Sequence, residues 1–110
     1  MVKSIKITEL LKKETIILDL QAQSKQEVLS ELAGQLNQAG QLNNKEAFID
    51  AILAREKQST TGVGEGIAIP HAKSDAVKTP AIAFGRSSDG IDYESLDGQP
   101  ANLFFYDCSK

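Results

Sequence analysis

The chain has 110 residues, a length that suits one domain and is enough to bury a core. Hydrophobic residues make up 41% and charged residues 25%, with a formal net charge of -3; this usage excludes a disordered or fibrous protein. No basic cluster exceeds Lys12-Lys13, which argues against nucleic acid as a partner, and no apolar run approaches the ~20 residues needed to span a membrane.

In chain order, the first strong signal is Thr15 to Leu20, TIILDL, a β-branched apolar run expected to form a buried strand. Ser24-Lys25-Gln26-Glu27 has capping-box spacing. Val28, Leu29, Leu32, Ala33 and Leu36 follow at helical spacing, and Gly40 is the expected stop. Asn43-Asn44-Lys45-Glu46 predicts a second capping box, with Ala47, Phe48, Ala51 and Ile52 as the apolar face of a helix running to about Glu56 or Lys57. Ser59 to Gly66, STTGVGEG, is expected to be a small-residue loop, and Ile67-Ala68-Ile69 a short apolar segment ending at Pro70-His71. Ala81 to Gly85 and Ala101 to Tyr106 are further candidate strands. Ser88-Asp89-Gly90 and Asp97-Gly98 are turn signals. Strand, helix, helix and several strands together predict an α/β fold, a mixed sheet with helices packed on it, in a single domain over residues 1–110.

The chemistry concentrates between Thr60 and His71. Gly62, Gly64 and Gly66 stand at alternate positions, which permits close approach of the backbone to an anion; successive N–H groups there can line a concavity. The hydroxyls of Thr60 and Thr61 add donors. The Rossmann fingerprint would need a glycine where Ile67 stands, and the Walker Gly-Lys-Ser/Thr is absent, so a nucleotide site is not expected. His71 is the one histidine. A neutral imidazole nitrogen can attack phosphorus, and Pro70 stiffens the backbone that carries it. Phosphoryl transfer asks mainly for positioning and charge balance, so neither a metal nor a cofactor is expected. Taken alone, a lone histidine after a loop is more often structural or merely solvent-exposed, and Arg55 is equally suited to be an ordinary helix C-terminal cation. The single cysteine, Cys108, forms no internal disulfide and favours a cytoplasmic location.

The stretch Arg55-Glu56, then Ser59 through Lys73 (STTGVGEGIAIPHAK), resembles the active-site signature of the fructose/mannitol class of enzyme IIA in the bacterial sugar phosphotransferase system. Ile7-Thr8-Glu9-Leu10-Leu11 and Thr15 to Leu20 resemble that family's first elements; Ala83 to Ser87, Gly90 to Tyr93 and Leu96 to Pro100 resemble its fructose branch.

The resemblance implies a phosphotransferase with a phosphohistidine intermediate. His71 would take phosphate from the phosphocarrier protein HPr and pass it to a cysteine of a IIB domain. A membrane IIC domain, linked or associated, would then transport the sugar, fructose in the branch most resembled. Arg55 would counter phosphoryl charge, with Thr60, Thr61, Gly62 and Gly64 as candidate phosphoryl-binding positions. Family chains usually continue past this point, so the C-terminal part of the usual domain is expected to be missing, leaving apolar surface that favours a homo-oligomer. Two other roles go with the resemblance: a regulatory module of nitrogen-linked or transcription-regulator type, and an inactive truncated domain.

Overall fold

The structure is a computed structural model describing residues 10–110. Of the opening stretch, Ile7, Thr8 and Glu9 lie outside the described residues. Strand β1 spans Leu11–Ile17, helix α1 Lys25–Gln38 and helix α2 Lys45–Gln58. Strands β2 (Gly62–Gly64), β3 (Ile67–Ala68) and β4 (His71–Lys73) are short; β5 (Ala81–Ile91) and β6 (Ala101–Ser109) are long. The six strands form one mixed sheet in the order β1-β5-β6-β3-β2, with β4 also paired to β6. β5 and β6 are antiparallel; β1 runs parallel to β5, and both β3 and β4 run parallel to β6.

Helix α1 follows its sequence pattern closely. Ser24 caps it by accepting from the Glu27 N–H at 3.2 Å, while Glu27 reaches back to the Gln23 N–H at 2.9 Å. Its buried residues are Val28, Leu29, Leu32, Ala33 and Leu36. The helix ends at Gln38, and Gly40 follows at φ +80°. α1 lies on the sheet face made by Ala83, Gly85, Phe104 and Tyr106, all buried. There the Tyr106 hydroxyl donates to the Leu29 carbonyl at 3.0 Å, and Phe48 of α2 meets the Tyr106 ring at 6.0 Å between centroids. This layer is the hydrophobic core and supplies most of the favourable folding free energy.

Five expectations need correction. The first strand begins at Leu11 and stops at Ile17 rather than running from Thr15 to Leu20; it is a sheet edge, so exposed Lys12, Lys13 and Glu14 are tolerated within it. The cap of α2 is Asn44, accepting from the Ala47 N–H at 3.1 Å, because the Asn43 N–H is taken by the Ala76 carbonyl at 2.7 Å. In the same helix Ala47 faces solvent, and Phe48 and Ile52 carry the buried face. The Ser88-Asp89-Gly90 signal is a bulge within β5, where pairing jumps from Arg86↔Leu103 to Ile91↔Ala101. β6 continues past Tyr106, since Cys108 is buried between exposed Asp107 and half-buried Ser109, and pairs there with β4.

The fifth correction concerns the site. Most of the expected glycine loop is a hairpin, β2 returning into β3 through Glu65 and Gly66. Both turn residues have positive φ, +58° and +79°, as a two-residue hairpin connection requires. At Gly62 an added Cβ would run into Ser95 and the Tyr93 ring, so only glycine lets β2 lie this close to the following loop.

Candidate functional site

His71 opens β4. Ala72 points into the core, so His71 and Lys73 on either side point outward, and the imidazole is exposed. The Pro70 carbonyl accepts from the Asp107 N–H at 2.9 Å, fixing the start of the strand against β6. His71 Nδ1 lies 2.8 Å from the Ile69 carbonyl. A carbonyl only accepts, so Nδ1 carries the proton and Nε2 keeps its lone pair.

That lone pair faces Arg55. The Arg55 Nε–H donates to His71 Nε2 at 3.3 Å, while Nη1 donates to the Ser59 carbonyl at 3.1 Å, just past the end of α2. The guanidinium thus serves the helix terminus and the histidine together. Helix α2 packs against β4, which brings these two side chains to one point from positions 16 residues apart.

The hairpin's polar groups are largely engaged within the fold. The Thr60 hydroxyl donates to the Tyr93 carbonyl at 3.2 Å and accepts from the Gly62 N–H at 3.1 Å. Thr61 is buried; its N–H donates to Glu56 at 3.2 Å and its hydroxyl donates to the same carboxylate. The Glu65 N–H is taken by Asp97 at 2.9 Å; this bond and one from the Gln99 N–H hold the Asp97 carboxyl below the usual range. The structure therefore joins Arg55 to His71. Thr60, Thr61, Gly62 and Gly64 lie in or beside the adjoining hairpin, with the Thr61 and Gly62 N–H groups already partnered.

Beneath the exposed pair is a polar cluster that sequence reasoning missed. Glu56 accepts from the Tyr93 hydroxyl at 3.1 Å and pairs with Lys25 at 2.8 Å; its side chain is only 6% exposed. Burial pushes the Glu56 carboxyl up, but the bonds from Lys25 and Thr61 outweigh it and hold the group below its ordinary value. Burial, with Glu56 adding to it, drives the Tyr93 phenol well above its usual range, so it stays a donor. Lys25 also sits 4.7 Å from the Tyr93 ring centre. The available signal was the Glu beside Arg55, but no spacing joins Lys25, Glu56 and Tyr93. Among the described residues no three His, Cys, Asp or Glu side chains are grouped to hold a metal ion.

The family model for the phosphoenolpyruvate-dependent sugar phosphotransferase system, EIIA 2, matches residues 9–110. The chain belongs to this family. Among its EIIA relatives, the PTS system fructose-specific EIIABC component of Bacillus subtilis is 60% identical over 101 residues, covering 92% of this chain and 16% of that protein. The chain thus spans a small part of that relative's length. The nitrogen regulatory protein IIA-Ntr from Neisseria meningitidis has a similar structure, with TM-score 0.85 and 32% identity over 94% of this chain and 70% of its own. Enzyme IIA-mannitol from Escherichia coli, solved in complex with phosphorylated enzyme IIB-mannitol, matches at TM-score 0.79 and 27% identity, over 92% of this chain and 72% of that one. The EIIA fold here is accordingly a mixed α/β sheet with α1 and α2 packed on it. Among the described residues no helix is long and apolar enough to cross a membrane.

Proposed function

We propose that this EIIA-family domain carries a phosphoryl group on Nε2 of His71. It would accept that group from phosphorylated HPr and pass it to a cysteine of a IIB domain, in the cytoplasm, during uptake and phosphorylation of fructose through a IIC membrane domain. The observation that carries the reading is an exposed imidazole whose Nδ1 proton is committed to a carbonyl, leaving Nε2 as the open nucleophile beside a guanidinium. In the transfer, the Nε2 lone pair forms the N–P bond as the donor's bond to phosphorus breaks, and that electron pair returns to the donor. The proton stays on Nδ1, hydrogen-bonded to the Ile69 carbonyl, so the attacking Nε2 needs no base. The Arg55 N–H, aimed at Nε2 in the resting state, turns to a phosphoryl oxygen once Nε2 is occupied. A loose transition state spreads charge over the equatorial oxygens, which is the charge a planar guanidinium balances well.

Fructose is favoured by the 60% identity to a fructose-specific relative, and IIB as acceptor by the mannitol-class complex. The likeness to a nitrogen regulatory protein supports a second reading, in which the phosphorylated state alters partner binding instead of feeding transport. Incubation with phosphorylated HPr tests the first step. An acid-labile label is expected on the wild type and none on His71→Ala; a label that persists in that variant rules out His71 as acceptor. Onward transfer to a IIB protein separates transport from regulation. Absence of any label on the folded wild type would mean an inactive domain.

A further inference from the structure

Glu56 is a nearly buried carboxylate that the transfer chemistry does not use. Four donors converge on it: Lys25 Nζ at 2.8 Å, the Thr61 N–H at 3.2 Å, the Tyr93 hydroxyl at 3.1 Å and the Thr61 hydroxyl. Burying a charge is costly, and apolar groups of similar volume commonly stabilise as well or better. A charge kept here and satisfied on every side therefore points to geometry as its purpose.

The bonds lead to the nucleophile. Thr61, held through both N–H and hydroxyl, accepts the Ile69 N–H on its carbonyl at 3.0 Å. The Ile69 carbonyl in turn accepts the His71 Nδ1 proton at 2.8 Å. Ile69 is 41% exposed, so side-chain packing holds this residue only in part. Its N–H bond to Thr61 on one side and buried Pro70 on the other do the rest. Were Thr61 to move, the Ile69 carbonyl would turn, and the imidazole would lose the contact that selects its tautomer.

We infer that Glu56 is a positioning residue for His71, acting through Thr61 and Ile69 to keep the proton on Nδ1 and the Nε2 lone pair facing outward. The consequence for transfer rests on the phosphoryl-carrier reading; the tautomer claim does not. The chain's one histidine makes the test clean, because imidazole nitrogen signals from histidine-labelled protein have a single source. At a pH where imidazole is neutral, the wild type is expected to show Nδ1–H with an unprotonated Nε2. Glu56→Gln puts an amide donor among existing donors. It should mix the two tautomers and lower the maximal rate of labelling by phosphorylated HPr about tenfold, with the half-saturating HPr concentration little changed.

Thr61→Val, which removes only the hydroxyl, should shift both readouts the same way by less. A folded Glu56→Gln protein with wild-type nitrogen signals and wild-type rate overturns the inference. If Glu56→Gln fails to fold, wild-type nitrogen signals in Thr61→Val overturn it. The nitrogen spectrum needs no phosphoryl donor. Failure of the wild type to label would therefore remove the carrier reading while leaving the tautomer result to be judged separately.

Discussion

Arg55 and Glu56 are neighbours on one helix, yet they serve opposite kinds of site. Arg55 reaches an exposed histidine through a single 3.3 Å bond and is tied back to Ser59 at 3.1 Å. Glu56 turns inward and is surrounded by donors. The exposed pair holds an open lone pair and a guanidinium that can change partners; the buried cluster has every group satisfied and little freedom to move. A nucleophile that other proteins must reach, as the carrier reading asks of His71, cannot be buried. The order of the site is supplied instead from the layer beneath, one peptide away.

The sharpest way to break this comparison is on the exposed side. Arg55→Ala should slow labelling of His71 about a hundredfold, the scale for loss of one preorganised donor to developing charge. Stability should change by no more than about 0.5 kcal/mol, because little packing is lost. Thermal unfolding beside the labelling time course checks both halves. A variant that labels normally, or one that unfolds many degrees earlier, would show that Arg55 is merely a helix-terminal cation. Arg55→Lys keeps the charge but not the planar fork and should fall between.

A smaller effect is expected on the buried side. Tyr93→Phe removes one donor from Glu56 and one contact with Thr61 while preserving the ring that packs on Phe104 at 5.5 Å. About 1 kcal/mol should be lost in denaturant unfolding, the usual net worth of such a bond. Labelling should slow far less than in Arg55→Ala, since Lys25 and Thr61 still hold Glu56. Equal slowing in the two variants would erase the distinction between reacting and supporting layers.

The same division explains what was legible in the sequence. Helix α1 was readable to the residue, because a period of 3.6 in Val28, Leu29, Leu32, Ala33 and Leu36 needs no knowledge of the rest of the fold. His71 stands out in the sequence by its rigid prolyl neighbour and by family resemblance, and the structure places it exposed beside Arg55. The hairpin was not legible, because Gly62-Val63-Gly64 is too short and too rich in glycine to carry a strand pattern, and its pairing is imposed by β6 and by the close approach of Ser95 to Gly62. β4 was equally hidden: three residues are too few for a pattern, and they are extended because they pair with Asp107, Cys108 and Ser109. The Glu56 cluster is assembled from α1, α2, the hairpin and the loop after β5, so only the tertiary fold reveals it.

The smallest predicted effect is a pH dependence that isolates the Lys25–Glu56 pair. The folded-state value of Glu56 lies below the unfolded one, so the carboxylate contributes stability that is fully present above the ordinary glutamate range, about 4.3. That contribution is lost as pH falls through this range and on through the lower folded value. Asp97 shifts in the same direction, so acid unfolding of the wild type alone does not single out Glu56. Lys25→Met does. Besides Glu56, Lys25 faces exposed Glu94 at 3.5 Å and the Tyr93 ring. The ring contact does not change with acid, and the Glu94 pair is solvent-screened. The stability gap between wild type and Lys25→Met, followed by denaturant unfolding, should be widest near neutral pH and narrow as pH drops through the carboxylate range. A gap that stays constant with pH would mean that Lys25 acts by packing on Tyr93. The charge on Glu56 would then be held by Thr61 and Tyr93 alone.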